Sequence, residues 1–274
     1  ALTSVSFRKF ASQVEGVDWS RDMRARPYHR KHRGIQNKLS LIFTVSLCVL
    51  YGEDLDFSHE RNNFSAQREA MVRTQFAERG IHDVRVLAAM GEVPRHEFIP
   101  ENLQANAYED HPLPIGEGQT ISQPYIVATM LEHLALQSSD RVLEIGTGSG
   151  YVTALLSLLC AEVYSVERHA RLAAAAESAL HRLEYRNVKI RVGDGRDGWA
   201  GYSPFDAILV SAATAEMPSA LFAQLCEGGR MMVPIGPSSS QELQLVRKVN
   251  GQPEVRVLEG CRFVPLVEGT ADNG

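Results

Sequence analysis

Three glycines at alternate positions, Gly146, Gly148 and Gly150, separate the apolar run Arg141-Val-Leu-Glu-Ile145 from a helical run that begins at Tyr151. Glycine reaches backbone conformations that a Cβ forbids, so this spacing predicts a tight turn that a ligand can approach closely. A strand that turns in this way into a helix is the first unit of an open α/β sheet. Such sheets bind ligands beyond the carboxyl ends of their strands. The chain downstream repeats the unit, with strands expected over 162–166, 188–192, 205–210 and 229–233 and helices over 151–160, 169–185 and 217–225. The order β-α-β-α-β-β-α-β predicts a mostly parallel sheet covered on both faces. Two longer strands, 242–249 and 254–258, flank Asn250-Gly251, which predicts a C-terminal antiparallel hairpin.

Upstream, a helix is expected from Ser65 as N-cap to Gly80 as terminator. A second follows Asp83, with Val84, Leu87 and Ala88 on one face. The stretch Val93–Pro124 is punctuated by Pro and Gly and has little periodicity. An irregular stretch of that length before a regular domain is expected to be functional. Pro124 then opens a helix that reaches about Leu134.

Residues 1–61 differ from the rest. They hold 10 Lys+Arg against 7 Asp+Glu, a balance of +3, so with a total of −5 the remainder carries −8. An acidic body argues against binding nucleic acid through its phosphates. The expected division is a leader or disordered basic arm over 1–61, a main domain over 62–269 and a tail over 270–274. The apolar run Leu39–Leu50 is shorter than the roughly 20 residues that a spanning helix needs, so no stable membrane span is expected. A basic flank before a short apolar run is also the layout of a signal peptide. No small-residue cleavage site follows it, and export through residues 24–50 stays open as the alternative to a cytoplasmic location. Cys48, Cys160, Cys226 and Cys261 form no C-x-x-C pair and read as buried or incidental thiols. The nine histidines lack ligand spacing, so no metal is expected.

The loop spacing discriminates between ligands. A dinucleotide loop of the form G-x-G-x-x-G would need glycine at 151, where this chain has Tyr151. E-x-G-x-G-x-G, here Glu144 to Gly150, is the pattern of S-adenosylmethionine methyltransferases. Glu167 ends the second strand, 23 positions after Glu144, where an acid can accept from both ribose hydroxyls. Asp194, between Gly193 and Gly195 after the third strand, can accept from an adenine amino group. Each could instead be a solvated strand-end acid. Three acids at three successive strand ends favour a nucleoside site.

Further segments carry a family resemblance. Glu117-Gly-Gln-Thr-Ile-Ser-Gln-Pro124, Met71-Val-x-x-Gln75, Arg79-Gly-Ile81, Val93-Pro-Arg95, Ala107-Tyr108, Leu113-Pro-Ile115, Gly193-Asp-Gly195 and Phe263-Val-Pro-Leu266 occur in one order over about residues 62–269. Together they resemble the protein-L-isoaspartate O-methyltransferases. The resemblance implies a doubly wound, mostly parallel α/β sheet of the Rossmann-like methyltransferase type, with N-terminal helices and the C-terminal hairpin. It implies S-adenosyl-L-methionine as cofactor and isoaspartyl proteins and peptides as substrates, with the free α-carboxylate as methyl acceptor. It places the hydroxyl of Ser122 at the active centre. Taken alone, Ser122 just before a Pro-started helix reads as an N-cap, and both roles can hold at once. By resemblance and position, Thr120, Glu144, Gly146, Thr147, Gly148, Gly150, Glu167, Arg168, Asp194, Gly195 and Gln241 are expected around the cofactor. A monomer is expected. A small-molecule or RNA methyltransferase is the alternative on the same fold. A catalytically silent binding protein would be expected to have lost a loop glycine or the ribose acid, and this chain has both.

Overall fold

The computed structural model of the chain describes residues 57–271, with side chains from residue 63. The apolar run 39–50, Cys48 and the export alternative lie outside the described residues, as do most of the basic arm and residues 272–274. Helix α1, Phe57–Ala70, starts before Ser65, so Ser65 sits inside a helix rather than capping one. No Pro or Gly stands between Phe57 and Ser65 to interrupt it. The helix continues as π-helical turns over Met71–Phe76 and a 3-10 turn over Ala77–Arg79. It stops as expected at Gly80, whose φ of 94° is the left-handed terminator. Helix α2, Val84–Glu92, is capped by Asp83, whose side chain accepts from the Arg85 N–H at 2.8 Å. Its buried residues are Val86, Leu87, Ala89 and Met90, so of the expected face only Leu87 is buried.

The irregular stretch contains two 3-10 turns, Arg95–Phe98 and Glu101–Asn106, and a small hairpin of β1, Leu113–Gly116, and β2, Gln119–Ile121. Gly116, Glu117 and Gly118 all have positive φ, which lets the chain reverse there. Helix α3, Pro124–Leu134, follows with Pro124 in its first turn. The main sheet then unfolds in sequence. It comprises β3 (Arg141–Ile145), α4 (Tyr151–Leu159), β4 (Glu162–Glu167), α5 (Ala170–Arg182), β5 (Val188–Val192), β6 (Phe205–Val210), α6 (Ser219–Ala223), β7 (Leu225–Ile235), β8 (Gln241–Val249) and β9 (Gln252–Cys261). Helix α6 is shorter and β7 longer than the sequence suggests. Pro218 stands at the helix N-cap, and residues 225–228 already run as strand.

The seven strands lie in the order β5-β4-β3-β6-β7-β8-β9. Pairs from β5 to β7 are parallel, while β7–β8 and β8–β9 are antiparallel. The last turn holds Asn250 and Gly251 at φ 52° and 75°, as the sequence motif requires. Strand order reverses at β3, which has β4 on one side and β6 on the other. A crevice opens at such a switch point. The central strands are buried on both faces, and alternate residues Leu143, Ile145, Tyr164, Val166, Ile208 and Val210 belong to one apolar cluster. Each such side chain contributes roughly 1.5–3 kcal/mol on burial, so the strand ends that carry the site are held by the best-packed part of the fold. Cys160, Cys226 and Cys261 are free thiols, and Cys160 is buried.

Candidate active site

A cavity of about 220 Å³ lies beyond the carboxyl ends of β3, β4 and β6. Its floor is the loop Gly146–Ser149, and its walls include Glu167, Arg168, His169, Gly195, Ser211 and the hairpin residues Gly118–Ser122. The glycines shape this space. A Cβ on Gly148, at φ 54°, would lie 3.4 Å from Ile115 of β1, and one on Gly146, at φ 91°, would lie 3.4 Å from Ser211. A Cβ on Gly195 would come within 2.5 Å of Ile145, so no side chain fits there. Gly150 serves another purpose. It is outside the cavity, and its bare Cα faces Ala176 of α5, which a Cβ would meet at 3.2 Å. It packs loop against helix and does not line the cavity.

Of the three expected acids, Glu167 is the one on the cavity wall. It is buried, its Oε2 accepts from the Gly148 N–H at 2.8 Å, and its Oε1 accepts from the His169 N–H at 3.0 Å. A carboxylate has about four acceptor sites, so lone pairs remain for a ligand's hydroxyls.

Glu144 does not reach the cavity. It is fully buried beneath the loop, where its Oε2 accepts from Thr153 Oγ1 and Ser165 Oγ, each at 2.6 Å. Ser165 is also bonded to Thr147 Oγ1 at 2.6 Å. Glu144 therefore holds the loop from below through Ser165 and Thr147. Burial pushes its carboxyl up to about 8, against the hydrogen bonds from Ser165 and Thr153.

Asp194 is not on the cavity wall. Its carboxylate accepts from the Gly269 N–H at 2.7 Å and the Arg196 N–H at 2.8 Å, and so ties the C-terminal segment to the turn after β5. Partial burial acts to raise its pKa, but these bonds together hold it below the usual carboxylate value.

A second, open groove of about 1070 Å³ meets the cavity at Thr120, Ser122, Ser211 and Val264. Ser122 is thus on both walls. It is not the cap of α3. That place belongs to Gln123, and no side chain caps the helix. The Ser122 carbonyl accepts from Arg95 Nη2 at 2.8 Å. On the following residues, Asp110 accepts from Gln123 Nε2 at 3.0 Å and the Tyr125 N–H at 3.1 Å. Arg95 is completely buried, which pushes its guanidinium down to about 10, still charged at neutral pH. His111 is exposed and bonded to Glu109 at 2.7 Å, on neither lining.

Gln241 lines the groove rather than the cavity. Its Oε1 accepts from the Phe263 N–H at 2.6 Å and its Nε2 donates to the Phe263 carbonyl at 3.1 Å. With its amide engaged in this way, it clamps the segment Phe263–Leu266. That segment runs beside the turn after β6, Ala213 donating to Val264 at 2.8 Å and Leu266 to Ala213 at 2.7 Å. Val264–Val267 form one lip of the cavity. Ser211, His169 and this lip line the cavity and are not among the cofactor residues expected from the sequence. A polar residue directly after the apolar run of β6 is the signal that would have found Ser211.

The arrangement has relatives. A family model described as protein-L-isoaspartate(D-aspartate) O-methyltransferase matches residues 66–271. The chain is 51% identical to the protein-L-isoaspartate O-methyltransferase of Koribacter versatilis over 210 residues, 77% of this chain and 95% of that one. It is 54% identical to the enzyme of the same name from Methanoculleus marisnigri over 201 residues, 73% of this chain and 91% of that one. A solved protein-L-isoaspartate O-methyltransferase is similar with a TM-score of 0.66 at 33% identity, over 73% of this chain and 66% of its own. A Plasmodium falciparum structure described as a protein-L-isoaspartate O-methyltransferase in complex with S-adenosyl-L-homocysteine gives 0.63 at 28% identity, over 74% of this chain and 98% of its own. A match that runs from α1 to the C-terminal lip, with half the residues shared over nearly the whole of its relatives, establishes that this chain belongs to the protein-L-isoaspartate(D-aspartate) O-methyltransferase family.

Proposed function

We infer that the chain transfers a methyl group from S-adenosyl-L-methionine to the free α-carboxylate of L-isoaspartyl residues in damaged proteins, starting repair through a succinimide. The observation that carries this reading is the position of Ser122, on the wall shared by a glycine-floored cavity and an open groove. The residues present fit the cofactor: Gly146, Gly148 and Gly195 leave no side chain in the way, and Glu167 keeps acceptor capacity for ribose hydroxyls.

S-adenosyl-L-methionine, when bound, would supply an electrophilic sulfonium methyl for a carboxylate oxygen, with the electron pair of the carbon–sulfur bond left on sulfur. An α-carboxylate is already ionised at neutral pH, so the chain needs no general base. In this reading the Ser122 hydroxyl donates to one carboxylate oxygen and leaves the other aimed at the methyl. The β1–β2 hairpin and the Val264–Val267 lip exclude water from two sides of the cavity. Catalysis by these residues is positioning. In the resulting ester the following backbone nitrogen attacks the carbonyl, methanol leaves, and the succinimide opens partly to normal aspartate.

No helix among the described residues is long and apolar enough to cross a membrane. The acidic body of residues 62–274 supports a protein rather than a nucleic-acid substrate. A cofactor made inside cells supports a cytoplasmic site of action.

The test is methyl transfer from labelled cofactor to two peptides that differ only in aspartate or isoaspartate. Charge and composition are equal, so only geometry can separate them: the carboxylate sits one methylene further out in aspartate. Misplacement on that scale costs on the order of a hundredfold. Labelling of the isoaspartyl peptide with the aspartyl peptide near background is expected. Equal labelling would overturn the assignment.

A further inference from the structure

Arg95 is the largest fully buried side chain among the described residues, and it is a charged one. It forms no ion pair within 4 Å with a described carboxylate. Asp110, the acid nearest in influence, is already engaged by Arg79, Gln123 and Tyr125. A buried charge without a counter-ion is costly. Its presence here needs a reason beyond packing.

The contacts supply one. Nε donates to the Ala107 carbonyl and Nη2 to the Ser122 carbonyl, both at 2.8 Å. These carbonyls belong to segments 15 residues apart (122 − 107) that meet nowhere in a regular ladder. One rigid, planar guanidinium therefore fixes the spacing and orientation of both peptides. The guanidinium also lies over the Tyr151 ring, 4.9 Å from its centre, and Tyr151 lines the cofactor cavity. Nη1 has no partner among the described residues, so this charge is not balanced by a completed polar network. Beyond Ser122, the Asp110 carboxylate holds Gln123 and Tyr125. The segment 122–125 is thus gripped from two directions, with the serine at the Arg95 end.

We propose that Arg95 is a positioning residue for methyl transfer, locking the Ser122 peptide against the 107 segment so that the hydroxyl stays where cavity and groove meet. The inference rests on the reading that Ser122 orients the acceptor carboxylate. Lysine has the charge and most of the stem but is a point donor, and cannot hold two carbonyls in the geometry of a planar fork.

The experiment compares wild type, Arg95→Lys and Arg95→Met for melting temperature, for S-adenosyl-L-homocysteine binding by calorimetry, and for kcat and KM with an isoaspartyl peptide. In folded Arg95→Lys, kcat/KM for the peptide is expected to fall on the order of tenfold to a hundredfold, with the S-adenosyl-L-homocysteine dissociation constant unchanged. Arg95→Met, if it folds, is expected to lose at least as much. Wild-type kinetics in Arg95→Lys would overturn the proposal. So would a loss of cofactor affinity in step with activity, or a failure of both variants to fold, since either makes Arg95 a purely structural residue. Wild type on the aspartyl and isoaspartyl pair separates the two levels. Inactive wild type overturns the functional reading and this inference with it, whereas active wild type beside an unimpaired Arg95→Lys overturns this inference alone.

Discussion

Glu167 accepts the Gly148 backbone N–H through Oε2 at 2.8 Å, so the acid that ends β4 and the glycine loop that follows β3 form one unit. Glu167→Gln keeps the shape but loses the charge. Hydrogen bonds to a charged group contribute about 1.5–3 kcal/mol, so S-adenosyl-L-methionine affinity is expected to fall roughly tenfold to a hundredfold. Calorimetry measures it. An unchanged dissociation constant would mean that the carboxylate ties two loops together and touches no ligand.

Ser122→Ala removes a hydroxyl that caps no helix, so the fold is expected to persist. Turnover with an isoaspartyl peptide should drop by about a hundredfold while cofactor affinity stays close to wild type. Steady-state kinetics beside calorimetry separates the two. Full activity in the variant would leave Ser122 without the role given to it.

Glu144 makes stability depend on pH. Its folded pKa of about 8 lies above the ordinary value of 4.5 because burial disfavours the charged form. Between those values the folded state holds a proton that the unfolded state has released. Stability therefore falls as pH rises from about 4.5 to about 8, and this contribution is flat above. Glu144→Gln mimics the neutral acid without titrating. Its melting temperature is expected to decline less than wild type across that window and to exceed it at pH 9. Parallel melting curves against pH would show that Glu144 does not titrate there.

Gln241→Ala releases both polar groups of Phe263 from their partner. Two part-buried hydrogen bonds are lost, each contributing about 0.5–1.5 kcal/mol net, and each 1 kcal/mol lowers the melting temperature by about 2–4 °C in a domain of this size. Peptide KM is expected to rise more than the cofactor dissociation constant, because Gln241 faces the groove. Calorimetric melting and peptide kinetics test this. A larger effect on the cofactor would return Gln241 to the cavity.

Alternating glycines, strand periodicity and Asn250-Gly251 made the sheet, its loop and its last hairpin legible in the sequence, because each depends on local geometry. The direction in which a side chain points does not. Glu144 and Glu167 both stand at or beside strand ends in the sequence, yet one is sealed under the loop and the other forms a cavity wall. Nor does the sequence show that Gly269, 75 residues later, donates to Asp194. The β1–β2 hairpin was hidden because Pro114 and two glycines mask a strand pattern of only a few residues. The burial of Arg95 in Val-Pro-Arg is not legible in the sequence, since arginine is rarely buried and its partners are backbone carbonyls that no sequence distinguishes.

The cavity and the groove touch at Thr120, Ser122, Ser211 and Val264 but are otherwise lined by different residues. Two separate doorways lead to one reacting centre. Neither partner has to leave for the other to enter, so the proposed function predicts that both are bound together when the methyl moves, with no methylated enzyme between them. Initial-velocity plots should intersect rather than run parallel. S-adenosyl-L-homocysteine should compete with the cofactor and not with the peptide, and a methyl-ester peptide should remain able to sit in the groove while fresh cofactor loads behind it.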